Sequence, residues 1–217
     1  MLGITKLSVL IFVATMLLIT GCSSPGRHLE PALVGQIREG VTTRQEVEKQ
    51  FGQPRNTMNG SNRRTLVIYE YGQLKPNAEP ASASVLPTPM GTVWLRTLSI
   101  LYDERNTVEK ALFYQSTTPY ERNMSSISAG NVVGEKELAS IKTGETTASD
   151  LRKSFGSPMS KTLNVDGELV LGWFYGKAAG RFEPSSKRQT LLVRVDAADV
   201  VRDYVVAGNL TPTPETK

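Results

Sequence analysis

The sequence is poor in the side chains that most metal and nucleophilic centres need. It has one cysteine, Cys22, and one histidine, His28. A typical zinc site uses several such ligands, and a Cys–His nucleophile pair needs both side chains. With so few, and with no serine in the G-x-S-x-G pattern of a nucleophile elbow, neither kind of centre is expected. We therefore predict a protein that is not an enzyme and that holds no cofactor and no metal.

The sequence also lacks a strong charge of one sign and a long hydrophobic run. It has 25 Lys+Arg against 21 Asp+Glu, a net charge of +4, which is too small an excess to predict nucleic-acid binding. The longest apolar run, Leu7–Ile19, is shorter than the roughly 20 residues of a membrane-spanning helix. A spanning helix is therefore not the expected means of membrane attachment.

The first 21 residues have the pattern of a secretory signal peptide. Lys6 is their only charge, the apolar run follows, and Thr20, Gly21 and Cys22 come next. This ending resembles the lipobox of bacterial lipoproteins, which implies cleavage after Gly21 and acylation of Cys22. Several acyl chains on one residue give stable membrane anchoring. The alternative is an ordinary secreted protein with a chance cysteine, but a lone thiol has no disulfide partner.

The lipobox resemblance has consequences for location and for the first mature residues. Ser23, where an aspartate would favour the inner membrane, implies the outer membrane and a body that faces the periplasm. Residues 22–29 are then expected to be a lipidated tether.

One stretch of the sequence occurs twice. "GVTTRQEVEKQFGQP" (Gly40–Pro54) returns 104 residues later as "GETTASDLRKSFGSP" (Gly144–Pro158), with seven of fifteen positions identical. In each copy the second threonine precedes a carboxylate by three residues, which is the spacing of a helix capping box. A glycine, Gly52 or Gly156, and a proline two residues on predict where the helix ends. Each copy therefore predicts a turn and a short helix that follow an earlier helical run.

The similarity continues into strands. Leu66–Gly72 aligns with Val170–Gly176 at the same offset, and both alternate aromatic and apolar residues. Because they recur at equivalent positions, Tyr69, Tyr71, Trp173 and Tyr175 are predicted to lie in the core; the alternative is an aromatic binding strip. Further on, "LSILYDERNTVEKALFY" aligns with "LLVRVDAADVVRDYVV" at an offset of 93, and Asp103 and Asp196 precede equivalent turns. The change of offset predicts an insertion in the first copy, which we assign to a proline-rich surface loop at residues 73–97.

These patterns predict an α+β protein made of two tandem repeats. Each repeat is expected to have two helices packed on an antiparallel sheet of three or four strands. The predicted repeats span residues 30–115 and 131–208, joined by a linker at 116–130. Residues 209–217 are predicted to be a flexible tail.

The duplicated motif resembles the SmpA/OmlA (BamE-like) family of outer-membrane lipoproteins, here in tandem copy. The matching residues are Ile37, Gly40, Thr42, Thr43, Glu46, Val47, Gly52 and Pro54 in the first copy, and Ile141, Gly144, Thr146, Thr147, Asp150, Leu151, Gly156 and Pro158 in the second. The resemblance implies a role in outer-membrane protein assembly or envelope integrity. The tandem architecture is also similar to that of secreted β-lactamase inhibitory proteins, which bind a protein partner across a concave face.

The expected function is therefore a non-enzymatic binding or scaffold module, anchored to the membrane by its lipid. Trp94, near the end of the insertion, is expected either to cap the sheet, since Val93 and Leu95 beside it adjoin the next strand, or to be the anchor for a protein partner. Two basic pairs, Arg63-Arg64 and Lys187-Arg188, are candidates for contact with anionic phospholipid or peptidoglycan. The alternative function is inhibition of a periplasmic or extracellular enzyme, such as a β-lactamase or a cell-wall hydrolase.

Overall fold

The computed structural model describes residues 28–60, 63–77, 88–122, 126–178 and 186–209. The predicted signal peptide, Cys22 and the tail beyond Asn209 lie outside the described residues. Four short helices are present in the described part: α1 (Pro31–Val34), α2 (Arg44–Phe51), α3 (Glu135–Ala139) and α4 (Ala148–Phe155). The strands are β1 (Asn56–Asn59), β2 (Thr65–Pro76), β3 (Thr88–Tyr102), β4 (Val108–Arg122), β5 (Ile127–Ala129), β6 (Ser160–Leu163), β7 (Leu169–Lys177), β8 (Lys187–Val195) and β9 (Val201–Gly208).

All nine strands belong to one antiparallel sheet. Eight follow the order β1-β2-β3-β4-β5-β7-β8-β9, and β6 pairs with β7 beside this path. The short strand β5 joins the two copies because it pairs with the end of β4 on one side and with the end of β7 on the other. The backbone hydrogen bonds of one copy therefore continue into the other.

The predicted α+β class is wrong. The protein is mostly β, with 52% strand against 16% helix, and its sheet is a single curled layer instead of two separate helix-covered sheets. The helical runs are shorter than predicted: α1 has four residues and stops at Gly35, and α3 has five. Helices of one turn gain little from intrahelical hydrogen bonds, so packing on the sheet must hold them in place.

The predicted loop and linker are also largely strand. β2 extends to Pro76 and β3 begins at Thr88, so both ends of segment 73–97 are paired, while residues 78–87 lie outside the described ones. The predicted linker at 116–130 contains the end of β4 and all of β5. Its threonines and Tyr120 suit a pleated strand, and they continue the β3–β4 register without a break.

The helix motif within each copy is confirmed. Thr43 and Thr147 cap α2 and α4, and each makes a reciprocal capping box with the carboxylate three residues on. Gly52 and Gly156 follow the helices with φ of 81° and 76°. Their ψ values of −159° and −169° place them in a region that essentially only glycine adopts, beyond the ordinary left-handed helical region.

Each copy has its own core between the helices and one face of the sheet. In the first copy α2 contributes Val47 and Phe51, and in the second α4 contributes Leu151 and Phe155. The predicted core role of the strand aromatics is confirmed for Tyr69 and Trp173, which are each 4% exposed. Tyr71 and Tyr175 are half-buried.

The opposite face of the first copy's sheet receives strand β6 of the second copy. Four side-chain hydroxyls on β3 and β4, which we call the hydroxyl row, bond to the backbone of β6 and of the two residues before it. The Thr97 hydroxyl donates to the Lys161 carbonyl at 3.1 Å, and the Ser99 hydroxyl accepts from the Leu163 amide at 3.1 Å. The other two members are Tyr114, which donates to the Pro158 carbonyl at 2.7 Å, and Ser116, which donates to the Met159 carbonyl at 2.6 Å. Beside the row, Leu163 packs into an apolar cluster with residues of β2 and β3.

Candidate binding surfaces

The predicted tether ends by docking on the helix-covered face of the first copy's sheet. Leu29 is 1% exposed and belongs to the first copy's core. The Arg96 guanidinium donates to the Leu29 carbonyl at 3.0 Å and to the Gln115 side-chain oxygen at 2.8 Å. The His28 ring meets the Tyr71 ring edge to face, with 4.6 Å between centroids. The chain is therefore fixed to the body from His28 onward.

Trp94 lies on the same face, two residues before Arg96 on β3. It is half-buried, and its indole N–H donates to the Thr92 hydroxyl at 3.1 Å. The Lys75 ammonium sits 3.4 Å from the ring centroid, which is a cation–π contact. Within the described residues neither Lys75 nor Arg96 has a carboxylate partner. We call His28, Tyr71, Lys75, Trp94 and Arg96 the tether face, a small aromatic and basic surface beside the first described residue of the chain.

The two predicted basic pairs do not form one patch. Arg63 and Arg64 lie just before β2, whereas Lys187 and Arg188 begin β8, and four strands separate β2 from β8 in the sheet. Arg63 is exposed, with a φ of 57°. Arg64 pairs with Glu109 at 2.5 Å in a part-exposed contact, which contributes little to stability. The Arg188 amide donates to the Asn209 side-chain oxygen, so the second basic pair lies at the open end of the β8–β9 hairpin.

The recurring aspartates are turn residues, as predicted. The Asp103 carboxylate accepts from the amides of Arg105 and Thr107, both at 2.9 Å. Asp196 accepts in the same way at 2.8 and 3.0 Å in the second copy. These backbone hydrogen bonds, foremost that from Thr107 to Asp103, lower the pKa of both carboxyls below its usual range. A carboxyl held ionised by its own turn is poorly suited to act as a general acid.

A cleft of about 520 Å³ lies where the two copies meet, and sequence reasoning missed it. It runs between the end of β4, the segment after β5, the end of α4 and β7. Its lining includes Thr117, Glu121, Glu137 and Phe155. These residues are far apart in the chain, and the pairing of β5 with β4 and β7 helps to bring them together. The sequence did contain one indication of this cleft: the threonines and Tyr120 of the predicted linker favour a strand, and that strand forms one wall of the cleft.

The described residues hold no group of three or more His, Cys, Asp or Glu side chains placed to bind a metal ion. Of the helices in the described ranges, none has the length and the apolar content to cross a membrane. No family model, curated protein or solved structure matches the chain. A proposal for its function therefore depends on the chain's own residues.

Proposed function

We propose that this protein is a lipid-anchored binding module on the periplasmic side of the outer membrane, where it holds a protein partner close to the bilayer in envelope assembly or integrity. The observation that carries the proposal is the docking of Leu29 into the core, only seven residues after Cys22. Because Leu29 is docked, a lipid on Cys22 would hold the folded body close to the membrane surface.

The reach of the tether follows from covalent geometry. Six residue steps join Cys22 to His28, and an extended chain spans at most about 3.5 Å per residue, so the body stays within roughly 20 Å of the lipidated residue. The tether face marks the place where the tether leaves the body. A partner bound through Trp94 would accordingly be held near the membrane, and Lys75 and Arg96 are better placed for anionic head groups than the two basic pairs.

The proposed relationship to the SmpA/OmlA lipoproteins is supported by the helix motif, which folds in the same way in both copies. Its capping boxes and its glycine stops serve the fold. The proposed binding role belongs to residues outside the motif, because Trp94 and Lys75 have no counterpart of the same type in the second copy.

The anchor is tested by metabolic labelling with palmitate in a bacterial host that processes lipoproteins. Wild-type protein should be labelled and should fractionate with the outer membrane. Cys22→Ala should abolish the label and leave an uncleaved precursor or a soluble product, whereas the neighbouring Ser24→Ala should behave as wild type. Labelling that persists in Cys22→Ala, or a mature protein that still contains Lys6, would contradict the lipoprotein assignment.

The binding role is tested by affinity capture from detergent-solubilised envelope. Wild-type protein should recover a defined partner, and Trp94→Ala should lose it, since a half-buried tryptophan at an interface contributes strongly to affinity. Lys49→Ala, an exposed change on α2, is the matched control and should still bind. Assembly subunits in the eluate support the scaffold role; recovery of a single soluble enzyme would instead support the inhibitor role.

A further inference from the structure

The last strand, β9, has an open edge. The Asn209 amide donates to the Arg188 carbonyl, so by the alternation of an antiparallel ladder the amides of Asp203, Val205 and Ala207 also face β8. The backbone groups of Tyr204 and Val206 then point away from the sheet. Within the described residues they have no hydrogen-bond partner.

The equivalent edge in the first copy is blocked. There the Glu39 carboxylate accepts from the Ala111 amide at 2.9 Å, and β5 pairs with Tyr120–Arg122 further along β4. Tyr204 is the counterpart of Ala111, and the counterpart of Glu39 is Thr143, whose side chain is shorter and uncharged. An unprotected apolar edge strand is a template for pairing with another strand.

We propose that the partner of this edge is a second copy of the chain, with β9 paired antiparallel to its own symmetry mate. A two-fold axis at Val205 places Val205 opposite itself and Tyr204 opposite Val206. Aromatic and β-branched residues are favourable cross-strand neighbours, and Asp203 falls opposite Ala207, so no like charges face each other. Such a contact is isologous and closes as a dimer with a continuous sheet.

The register provides a direct test by disulfide cross-linking. Residues opposite each other in a non-hydrogen-bonded pair have Cα atoms about 4.5 Å apart, within the range of a disulfide. In the mature chain with Cys22→Ser, which removes the only native thiol, V205C should therefore form a disulfide-linked dimer on mild oxidation. A207C alone should not, but an equimolar mixture of A207C and D203C should form the mixed dimer. Equal cross-linking of V205C, A207C and the exposed helix variant K136C would overturn the proposal.

The backbone requirement is tested with proline. V206P in the V205C background removes an amide that points away from β8, so the fold should survive and cross-linking should fall at least tenfold. Persistent cross-linking of a folded V206P protein would contradict edge pairing.

A second test does not depend on proline. V205K and V205E should each sediment as a monomer because like charges meet on the axis, and an equimolar mixture of the two variants should recover the dimer. Failure of the mixture to associate while the wild type is dimeric would also refute the proposed register.

Discussion

The two copies share their local structure but differ in what the outer face of their sheets does. Both have the capping box and the aspartate turn, and in both a strand aromatic bonds to the glycine carbonyl after the helix: Tyr69 to Gly52 at 3.3 Å and Trp173 to Gly156 at 3.0 Å. In the part of the chain that the structure describes, a strand docks through its backbone on the outer face of the first copy alone. The counterparts of the hydroxyl row in the second copy are Thr190, Leu192, Ala207 and Asn209.

This difference indicates why the second copy's outer face cannot receive a strand in the way that the first copy's does. The first copy can receive the next β6-like strand because four hydroxyls satisfy its outward backbone groups. The second copy retains only the Thr190 hydroxyl, and Leu192 packs instead against Val170 and Phe174. Residues common to both copies thus fold each unit, and residues that differ between the copies join the two units.

The largest expected effect is on the shared core. Trp173→Ala and Tyr69→Ala should each lower the free energy of unfolding by about 3–5 kcal/mol, since each removes a buried aromatic ring. Because one sheet connects the copies, either change should shift a single thermal transition seen by both near-UV and far-UV circular dichroism. Two separated transitions in either variant would show that the copies unfold independently.

The glycine stops should come next. Gly52→Val and Gly156→Val should each cost about 1–3 kcal/mol, because both glycines adopt a backbone conformation that a β-branched residue strongly disfavours. Gly176→Ala is the control, since its φ is not positive and no heavy atom lies within 4 Å of the added Cβ. Urea denaturation measures the difference, and equal stability of Gly156→Val and Gly176→Ala would refute the strain argument.

The duplicated motif could be predicted from sequence because its information is local. A threonine three residues before a carboxylate, a glycine stop and an aspartate before a turn each act within one helical turn or one hairpin. The two copies are joined into one sheet by the pairing of β5 with β4 and with β7, and the β5–β7 partners are more than 40 residues apart in the chain. No periodicity in a single segment contains such information. The sequence therefore predicts a linker at 116–130, although the residues of this segment suit a strand.

The candidate surfaces likewise combine residues that can be recognised from local sequence with contacts that cannot. Trp94 could be singled out because it is rare and because it lies in the region where the copies differ. Its cation–π partner Lys75 lies on the neighbouring strand, and Arg96 reaches back 67 residues to Leu29. These contacts depend on the β2–β3 register and on the path of the tether. Adjacent charges in a sequence carry no information about which other charges lie nearby, so the separation of the two basic pairs in the sheet could not be predicted.

The hydroxyl row can be tested against its own counterpart. Thr97→Val removes the bond to the Lys161 carbonyl and should cost about 1 kcal/mol, because a buried acceptor loses its donor while side-chain shape is kept. Thr190→Val makes the same change at the equivalent position, where the hydroxyl has no hydrogen-bond partner within the described residues, and should be close to neutral. Urea midpoints of the two variants give the comparison, which an equal loss in both would contradict.

A change in the opposite direction is expected at Tyr102. Its hydroxyl is buried without a hydrogen-bond partner in the described structure, and burial raises the pKa of the phenol. The second copy has Val195 at the equivalent place. Tyr102→Phe should therefore raise the free energy of unfolding by up to about 1 kcal/mol, since an unsatisfied polar group is removed without loss of the ring. A clear loss of stability would mean that the hydroxyl has a partner in solution.

The smallest effect on stability is expected from the longest change, the removal of residues 75–90. In the β2–β3 register Leu74 pairs with Val93, so the deletion leaves Gly91 and Thr92 as a two-residue turn between paired strands. Glycine at the first turn position suits a type II′ hairpin, and a shorter loop costs slightly less entropy to close, so the melting temperature should change little. Loss of Lys75 removes the cation–π contact with Trp94 and part of the tether face. The variant should therefore keep its circular dichroism spectrum and lose the partner captured from envelope by the wild type. If it unfolds, the segment is structural; if it folds and still captures the same partner, the binding surface lies elsewhere on the sheet.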